Sequence, residues 1–128
     1  MAIRIVRLGR PRVAGEGLRI GIVRYPPRGV PKTHYASQNW YDVWLPELAP
    51  TPATMKLAQA ATSDRQWGAY ARKYRAEMAR PPAARILDTL AALSRQADFS
   101  VGCYCAEETR CHRSILRELL MERGAKLK

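Results

Sequence analysis

The sequence is short of several things, and each shortage narrows what the protein does. No stretch of roughly 18 uninterrupted apolar residues occurs in its 128 residues, so no segment reads as a membrane span. The first residues, Met1-Ala-Ile-Arg-Ile-Val-Arg7, lack an apolar run of signal-peptide length. There are only three cysteines, an odd number, which argues against a disulfide framework and for a reducing setting. Together these lead to the expectation of a cytoplasmic protein without a membrane partner. Internal repeats and low-complexity tracts are missing as well, which argues against a solenoid or a disordered tail. Acidic residues are the most consequential scarcity, with 11 against 22 Lys and Arg.

What is present is a net charge of +11, carried mostly by arginine. Arginine's planar fork suits phosphate and carboxylate better than a lysine point charge does. The charge is unevenly placed. Residues 1–34 hold eight Lys or Arg against the single acid Glu16, and residues 63–97 hold seven against three. A field of this sign attracts nucleic acid, nucleotides or anionic metabolites, but a solvated basic surface has the same composition.

The length and an apolar fraction of 47% fit one globular domain with a real core. Residues 2–7 and Leu18–Arg24 read as strands, separated by a connection carrying Gly9, Pro11, Gly15 and Gly17. Pro26, Pro27, Gly29 and Pro31 make residues 25–36 a basic loop. Residues 39–45 are aromatic and ambiguous between a short strand and a helical turn. A helix is predicted from about Thr54 to Ala61. Ser63 with Gln66 forms a capping-box pattern for a second helix, with Trp67, Tyr70, Tyr74 and Met78 on one face. A third helix follows Pro81-Pro82. Asp98–Cys105 reads as a more buried strand, and Cys111–Arg123 as the last helix, stopped by Gly124. The pattern predicts a single small α/β domain: a short, mostly parallel sheet of three to four strands covered by about four helices. Ligands would then sit at the carboxyl ends of the strands.

Chemistry-bearing residues concentrate in Cys103–Arg113, where the last strand feeds the last helix. Strand alternation puts Cys103 and Cys105 on one face and Tyr104 on the other. If Thr109 caps the helix, Cys111, His112 and Arg113 lie in its first turn, where unpaired amides and the positive dipole end favour anions and thiolates. One reading is a reactive site, with Cys105 or Cys111 as nucleophile, His112 as proton carrier, Glu107 or Glu108 as base or orienter, and Arg113 holding an anion. A second is a metal site from Cys103, Cys105, Cys111 and His112. Against it, Cys-x-Cys is not the usual zinc spacing, and neighbouring helical residues diverge by about 100°. A third is structural, with the thiols as small hydrophobes. Cys111 to Arg117 has the Cys-x5-Arg count of cysteine phosphatases. Its intervening residues read as helix and core rather than as a phosphate-wrapping loop, so that match is set aside.

The chain resembles the domain-of-unknown-function 488 (YeaO-like) family along nearly its whole length. The marks are Gly17-Leu-Arg-Ile-Gly-Ile-Val-Arg24, Pro27-Arg-Gly-Val-Pro-Lys32 and Tyr41-Asp-Val-Trp-Leu45 with Leu48-Ala-Pro-Thr51. They continue with Trp67, Tyr70, Tyr74 and Glu77, and end on Cys105-x-Glu107 before Cys111-His112-Arg113. Where the YeaO branch has Asp-Arg-Leu-Trp-Pro-Arg-Gly, this chain has Val23-Arg-Tyr-Pro-Pro-Arg-Gly29. The resemblance implies an α/β fold and a bacterial or archaeal cytoplasmic protein. It implies no particular reaction.

If the second strand lies parallel beside the last, the loop after it meets the Cys-His-Arg turn at one sheet edge. Arg24, Arg28 and Lys32 would then join Arg113 as an anion site, next to Cys105, Glu107, Cys111 and His112 as the reacting groups. The expected ligand is an anion, either a phosphorylated small molecule or nucleic acid, with no cofactor. A non-catalytic nucleic-acid-binding module and a small zinc-stabilised interaction domain remain the alternatives. Trp40, Tyr41 and Trp44 read as base-stacking or as core, Asp42 as pocket acid or turn cap, and His34 as an exposed loop residue. The oligomeric state is left open.

Overall fold

A computed structural model describes all 128 residues. Four strands, β1 (Ile3–Arg7), β2 (Leu18–Gly21), β3 (Val43–Trp44) and β4 (Phe99–Cys103), form one all-parallel sheet in the order β1-β4-β2-β3. Four helices, α1 (Pro52–Ala60), α2 (Asp64–Met78), α3 (Ala83–Leu93) and α4 (His112–Glu122), complete a small α/β domain. None of them is long and apolar enough to cross a membrane.

The sheet has two unlike faces. Ile3 pairs with Phe99, and Val101 lies between Ile5 and Ile20. These side chains share a core with Tyr70, Tyr74, Leu87, Leu90, Leu116 and Leu120 from α2, α3 and α4. The apolar stripes of the helices therefore meet the odd-numbered residues of the central strand, the layer arrangement that buries both. On the opposite face Arg4, Ser100 and Arg19 align in one row, and Gly102 and Gly21 in another. Here coil covers the sheet instead of helix, and it lies much closer. A Cβ on Gly21 would stand 2.3 Å from the Tyr41 ring, and one on Gly102 2.6 Å from Leu8.

A buried ion pair organises that coil. Arg19 binds Glu16 through two nitrogens at 2.7 and 2.9 Å, and the Ser100 hydroxyl donates to Glu16 at 2.7 Å. Arg19 also donates to the carbonyls of Arg10 and Asn39, and its backbone N–H is taken by Asp42. One side chain thus ties the loop after β1 to the loop before β3. Burial alone would raise the Glu16 pKa, but the Arg19 guanidinium, Ser100 and the Val13 amide outweigh it and bring it to about 2.

Local capping follows the sequence with two differences. Ser63 caps α2 by accepting from the Gln66 N–H, while Gln66 reaches back to the N–H of Thr62 rather than to that of Ser63. Thr109 does not cap α4. Residues 108–110 form a 3₁₀ turn, and Cys111 is the cap, in extended conformation. The second strand is shorter than expected, because β2 ends at Gly21 and Ile22–Arg24 run beyond its paired residues, with Ile22 still bonded to the Gly102 carbonyl.

Candidate functional site

Cys111 being a cap rather than a helical residue decides the geometry of the site. Its extended backbone turns the thiol back over the helix start, so its Sγ lies 3.7 Å from the Nδ1 of the adjacent His112. The divergence expected of neighbouring helical residues does not arise. The same sulfur accepts from the Arg113 N–H at 3.5 Å and from the Arg113 Nε at 3.4 Å. His112 Nε2 lies 2.7 Å from the Ile22 carbonyl. A carbonyl only accepts, so Nε2 carries a hydrogen and Nδ1 is the atom facing the thiol. The Tyr74 ring meets the imidazole edge-on at 5.6 Å, and the Tyr74 hydroxyl is anchored on the Leu48 carbonyl. The imidazole is therefore held in plane and in tautomer.

The three thiols are neighbours with different fates. Cys103 and Cys105 lie 3.8 Å apart, sharing a side as strand alternation predicts. Hydrogen bonds toward Cys105 and Cys111, together with burial, hold the Cys103 thiol far above its ordinary range. Cys105 is exposed; the bond from Cys103 draws its thiol down, but donation to Cys111 and partial desolvation outweigh it and push the thiol up. Cys111 receives from both, and with His112 beside it the thiol is held well below the ordinary range despite burial. Cys111 is the member of the cluster arranged to be a thiolate. Cys103, Cys111 and His112 also offer three ligand atoms within 4.8 Å of one another, which makes the trio a candidate metal cluster.

These groups line a mostly apolar pocket of about 210 Å³, walled by Val23, Met55, Ala58 and Tyr70. A second, larger cleft of about 650 Å³ opens beside it, lined by Arg7, Arg10, Arg28, Trp40 and Pro26 among others. Tyr25 and Tyr104 line both, and the Tyr104 hydroxyl donates to the Tyr25 carbonyl at 2.9 Å. They form a partition between the two spaces, and both spaces open at the carboxyl ends of β1, β2 and β4.

The expectation that one pocket gathers all the named residues does not hold. Cys105, Cys111 and His112 line the small pocket, as does Arg24, which donates through Nε and Nη2 to the carbonyls of Pro50 and Ala49. Arg28 lines the other cleft, with no partner for its side chain. Arg113 is buried, with guanidinium bonds to the carbonyls of Val6 and Cys105 besides the Cys111 sulfur. Its hydrogens are engaged by the fold rather than offered to a ligand. Lys32 is exposed in a 3₁₀ turn and lines neither space. Glu107 is exposed and lines neither, and Glu108 pairs with Arg117. Asp42 is held by Arg12 and the Arg19 N–H, with its carboxyl lowered by them against burial. Trp40 lines the cleft, Tyr41 is core, and His34 is exposed.

Arg7, Arg10, Tyr25 and the Ile22 carbonyl were not singled out from the sequence. The first two become visible only once β1 is known to lie directly beside β4. A main-chain oxygen such as that of Ile22 leaves no side-chain signal at all.

No curated protein and no solved structure matches the chain. A family model described as the active DUF488-N3 subclade does match, over residues 3–124, and so nearly the whole chain, this thiol and imidazole included, belongs to that subclade of the domain-of-unknown-function 488 family.

Proposed function

We propose that the protein is a cysteine-dependent group-transfer enzyme acting on a substrate with an anionic portion, with Cys111 as nucleophile and His112 as its proton partner. The observation that carries this reading is the environment of one sulfur. It faces the Arg113 amide and guanidinium, looks onto an imidazole nitrogen of fixed tautomer, and opens to a pocket. The description of the matched family as active agrees with it.

In this mechanism the Cys111 thiolate forms a bond to an electrophilic centre as the bond to the leaving group breaks. His112, protonated, gives its Nδ1 proton to that leaving group. Water then attacks the thiol-bound centre, His112 takes the water's proton, and the thiolate is restored. The Ile22 carbonyl and the Tyr74 ring hold the imidazole through both halves. The pocket favours a carbon electrophile over a phosphoryl group. Arg24 and Arg113 each commit two nitrogens to main-chain carbonyls, and Arg110 is held by Asp64 and the Trp67 ring, so none of these arginines presents a full guanidinium fork to a phosphate at the sulfur. The anionic portion belongs instead across the partition, beside Arg28. A reducing cytoplasm, which keeps thiols free, suits this chemistry.

Alkylation by iodoacetamide at pH 6, with each cysteine followed separately by peptide mass spectrometry, tests the reading. Exposure favours Cys105 and thiolate character favours Cys111. Cys111 is expected to react at least about 10-fold faster than Cys105, and His112→Gln to slow it. Faster labelling of Cys105 would overturn the nucleophile assignment.

A second reading keeps the same atoms. Cys103, Cys111 and His112 would hold zinc, with the Nε2 hydrogen bond to Ile22 as the orienting contact typical of a ligating histidine. Stoichiometric zinc in the purified protein, with loss of thermal stability on chelation, is the result this reading requires. Metal-free protein that retains fast Cys111 labelling excludes it.

A further inference from the structure

We infer that the 650 Å³ cleft beyond the Tyr25–Tyr104 partition binds the backbone and bases of a single-stranded nucleic acid, and so names the substrate class of the thiol pocket. This rests on the proposed chemistry in one respect, that the cleft delivers a substrate to Cys111. The case for the cleft itself is separate.

The first observation is which cations are available. Three of the seven arginines of the N-terminal third are engaged: Arg12 by Asp42, Arg19 by Glu16, Arg24 by Ala49 and Pro50. The side chains of Arg7, Arg10 and Arg28 have no partner, and all three line this cleft. Among them stand three aromatic rings, Tyr25, Trp40 and Tyr104. Unpaired cations interleaved with π-faces are what a strand of phosphates and bases requires, since every base offers a face to stack on.

The second observation is that the cations form a track. Arg7 and Arg10 also line a neighbouring depression of about 290 Å³, which continues to Arg4 and Lys128. A single phosphorylated metabolite needs one cluster of donors. A row running from Arg28 through Arg7 and Arg10 to Arg4 suits a polymer with a charge on every unit.

The third observation is that the cleft wall is built at a local cost. Asn39 is the one non-glycine residue at positive φ, 64°, and it places Trp40 against Gly9, where a Cβ would come within 2.9 Å of the ring. Gly9 itself sits at φ 90° and donates its N–H to the Asn39 carbonyl, which Arg19 also holds. The buried indole N–H of Trp40 has no partner in the protein. A left-handed Asn39 therefore sets the Trp40 ring as a fixed wall of the cleft, the kind of backbone cost that clusters at ligand sites.

The two volumes then divide the work. The thiol pocket, at about 210 Å³, is below the roughly 300–1,000 Å³ of a pocket that encloses a whole small ligand. It takes one base or less. The strand lies in the cleft, and one unit crosses the tyrosine partition toward Cys111.

The experiment is fluorescence anisotropy of the full chain with a labelled 12-nucleotide single strand, as DNA and as RNA, competed by the matching duplex and by adenosine monophosphate. Salt-dependent binding of a single strand, preferred over duplex and over mononucleotide, is expected. Arg28→Ala should lower the slope of log affinity against log salt by about 0.7, and Tyr25→Ala should weaken binding about 5-fold or more. Both residues are exposed, so both variants should fold, with wild-type circular dichroism. Arg85→Ala, on exposed α3 surface outside either space, controls for diffuse charge. Cys111→Ser should lose labelling but keep the strand. No strand binding, equal binding of mononucleotide or duplex, or equal losses in Arg28→Ala and Arg85→Ala would each overturn the inference. Any of these could occur with Cys111 still reactive, so failure here is distinct from failure of the thiol chemistry.

Discussion

Two sets of arginines divide this molecule. Arg19 and Arg113 are buried, and every hydrogen bond they make goes to the protein: to Glu16 and the carbonyls of Arg10 and Asn39 in one case, to Cys111 and the carbonyls of Val6 and Cys105 in the other. Arg7, Arg10 and Arg28 have no such partners and face a common cleft. The first set builds the architecture, and the second is left to meet something else. Net charge does not distinguish them, because a guanidinium counts the same whether it holds a loop together or waits for a phosphate. What distinguishes them is the number of carbonyls and carboxylates within reach, a property of the fold.

The comparison predicts its largest contrast in stability. Arg19→Ala leaves Glu16 buried, charged and unpaired, which costs about 3–5 kcal/mol. Domains of this size are stable by only about 5–15 kcal/mol, so urea denaturation should find this variant close to unfolding at room temperature. A loss below about 1 kcal/mol would show that the pair does not hold the two loops. The same pair gives a pH signature. The Glu16 pKa falls from its ordinary 4.5 to about 2 on folding, so its contribution is complete above about pH 4.5 and is lost as pH drops toward 2. Urea midpoints at pH 7 and pH 3 should differ in wild type, and Glu16→Gln should narrow that difference.

Arg113→Lys gives an intermediate effect. Lysine keeps the charge but loses the planar fork that reaches Val6, Cys105 and the Cys111 sulfur together. Two carbonyls and a thiolate lose a donor, for a loss of about 1–3 kcal/mol. The more telling readout is chemical: Cys111 labelling at pH 6 should slow about 10-fold while Cys105 is unchanged. Equal labelling of Cys111 in wild type and variant would mean that the arginine is architectural only.

How much of this was legible beforehand follows the same division. The α/β class, the helices and the strand carrying Cys103 could be read because hydrophobic period and capping residues are local signals. Ser63 before Gln66 is one, and the Tyr70, Tyr74, Met78 stripe another. The gathering of Cys103, Cys105, Cys111 and His112 was legible from their proximity in sequence. That Cys111 itself caps α4 was not, because threonine is the commoner cap and Thr109 stood two residues earlier. The placing of Arg113 in a carbonyl cage and of Arg28 across a tyrosine partition depends on strand order β1-β4-β2-β3, which brings Val6 and Leu8 beside residues nearly a hundred positions away. Long-range pairing of that kind leaves no mark on periodicity or spacing.

The smallest predicted effect sharpens the comparison most. Arg28 is exposed and bonds to nothing in the protein, so Arg28→Ala should change stability by no more than about 0.5 kcal/mol. It removes repulsion from Arg7 and Arg10 across the cleft, so the sign at low salt should be slightly stabilising. That gain should vanish by about 0.5 M salt, where screening reaches only a few ångströms. Thermal melts of wild type and variant at low and high ionic strength measure it. A destabilised variant would mean that Arg28 holds the proline loop and belongs with Arg19 and Arg113. A variant stabilised at low salt only would mean that the cleft keeps like charges together at a cost in stability, which selection for folding alone would not maintain.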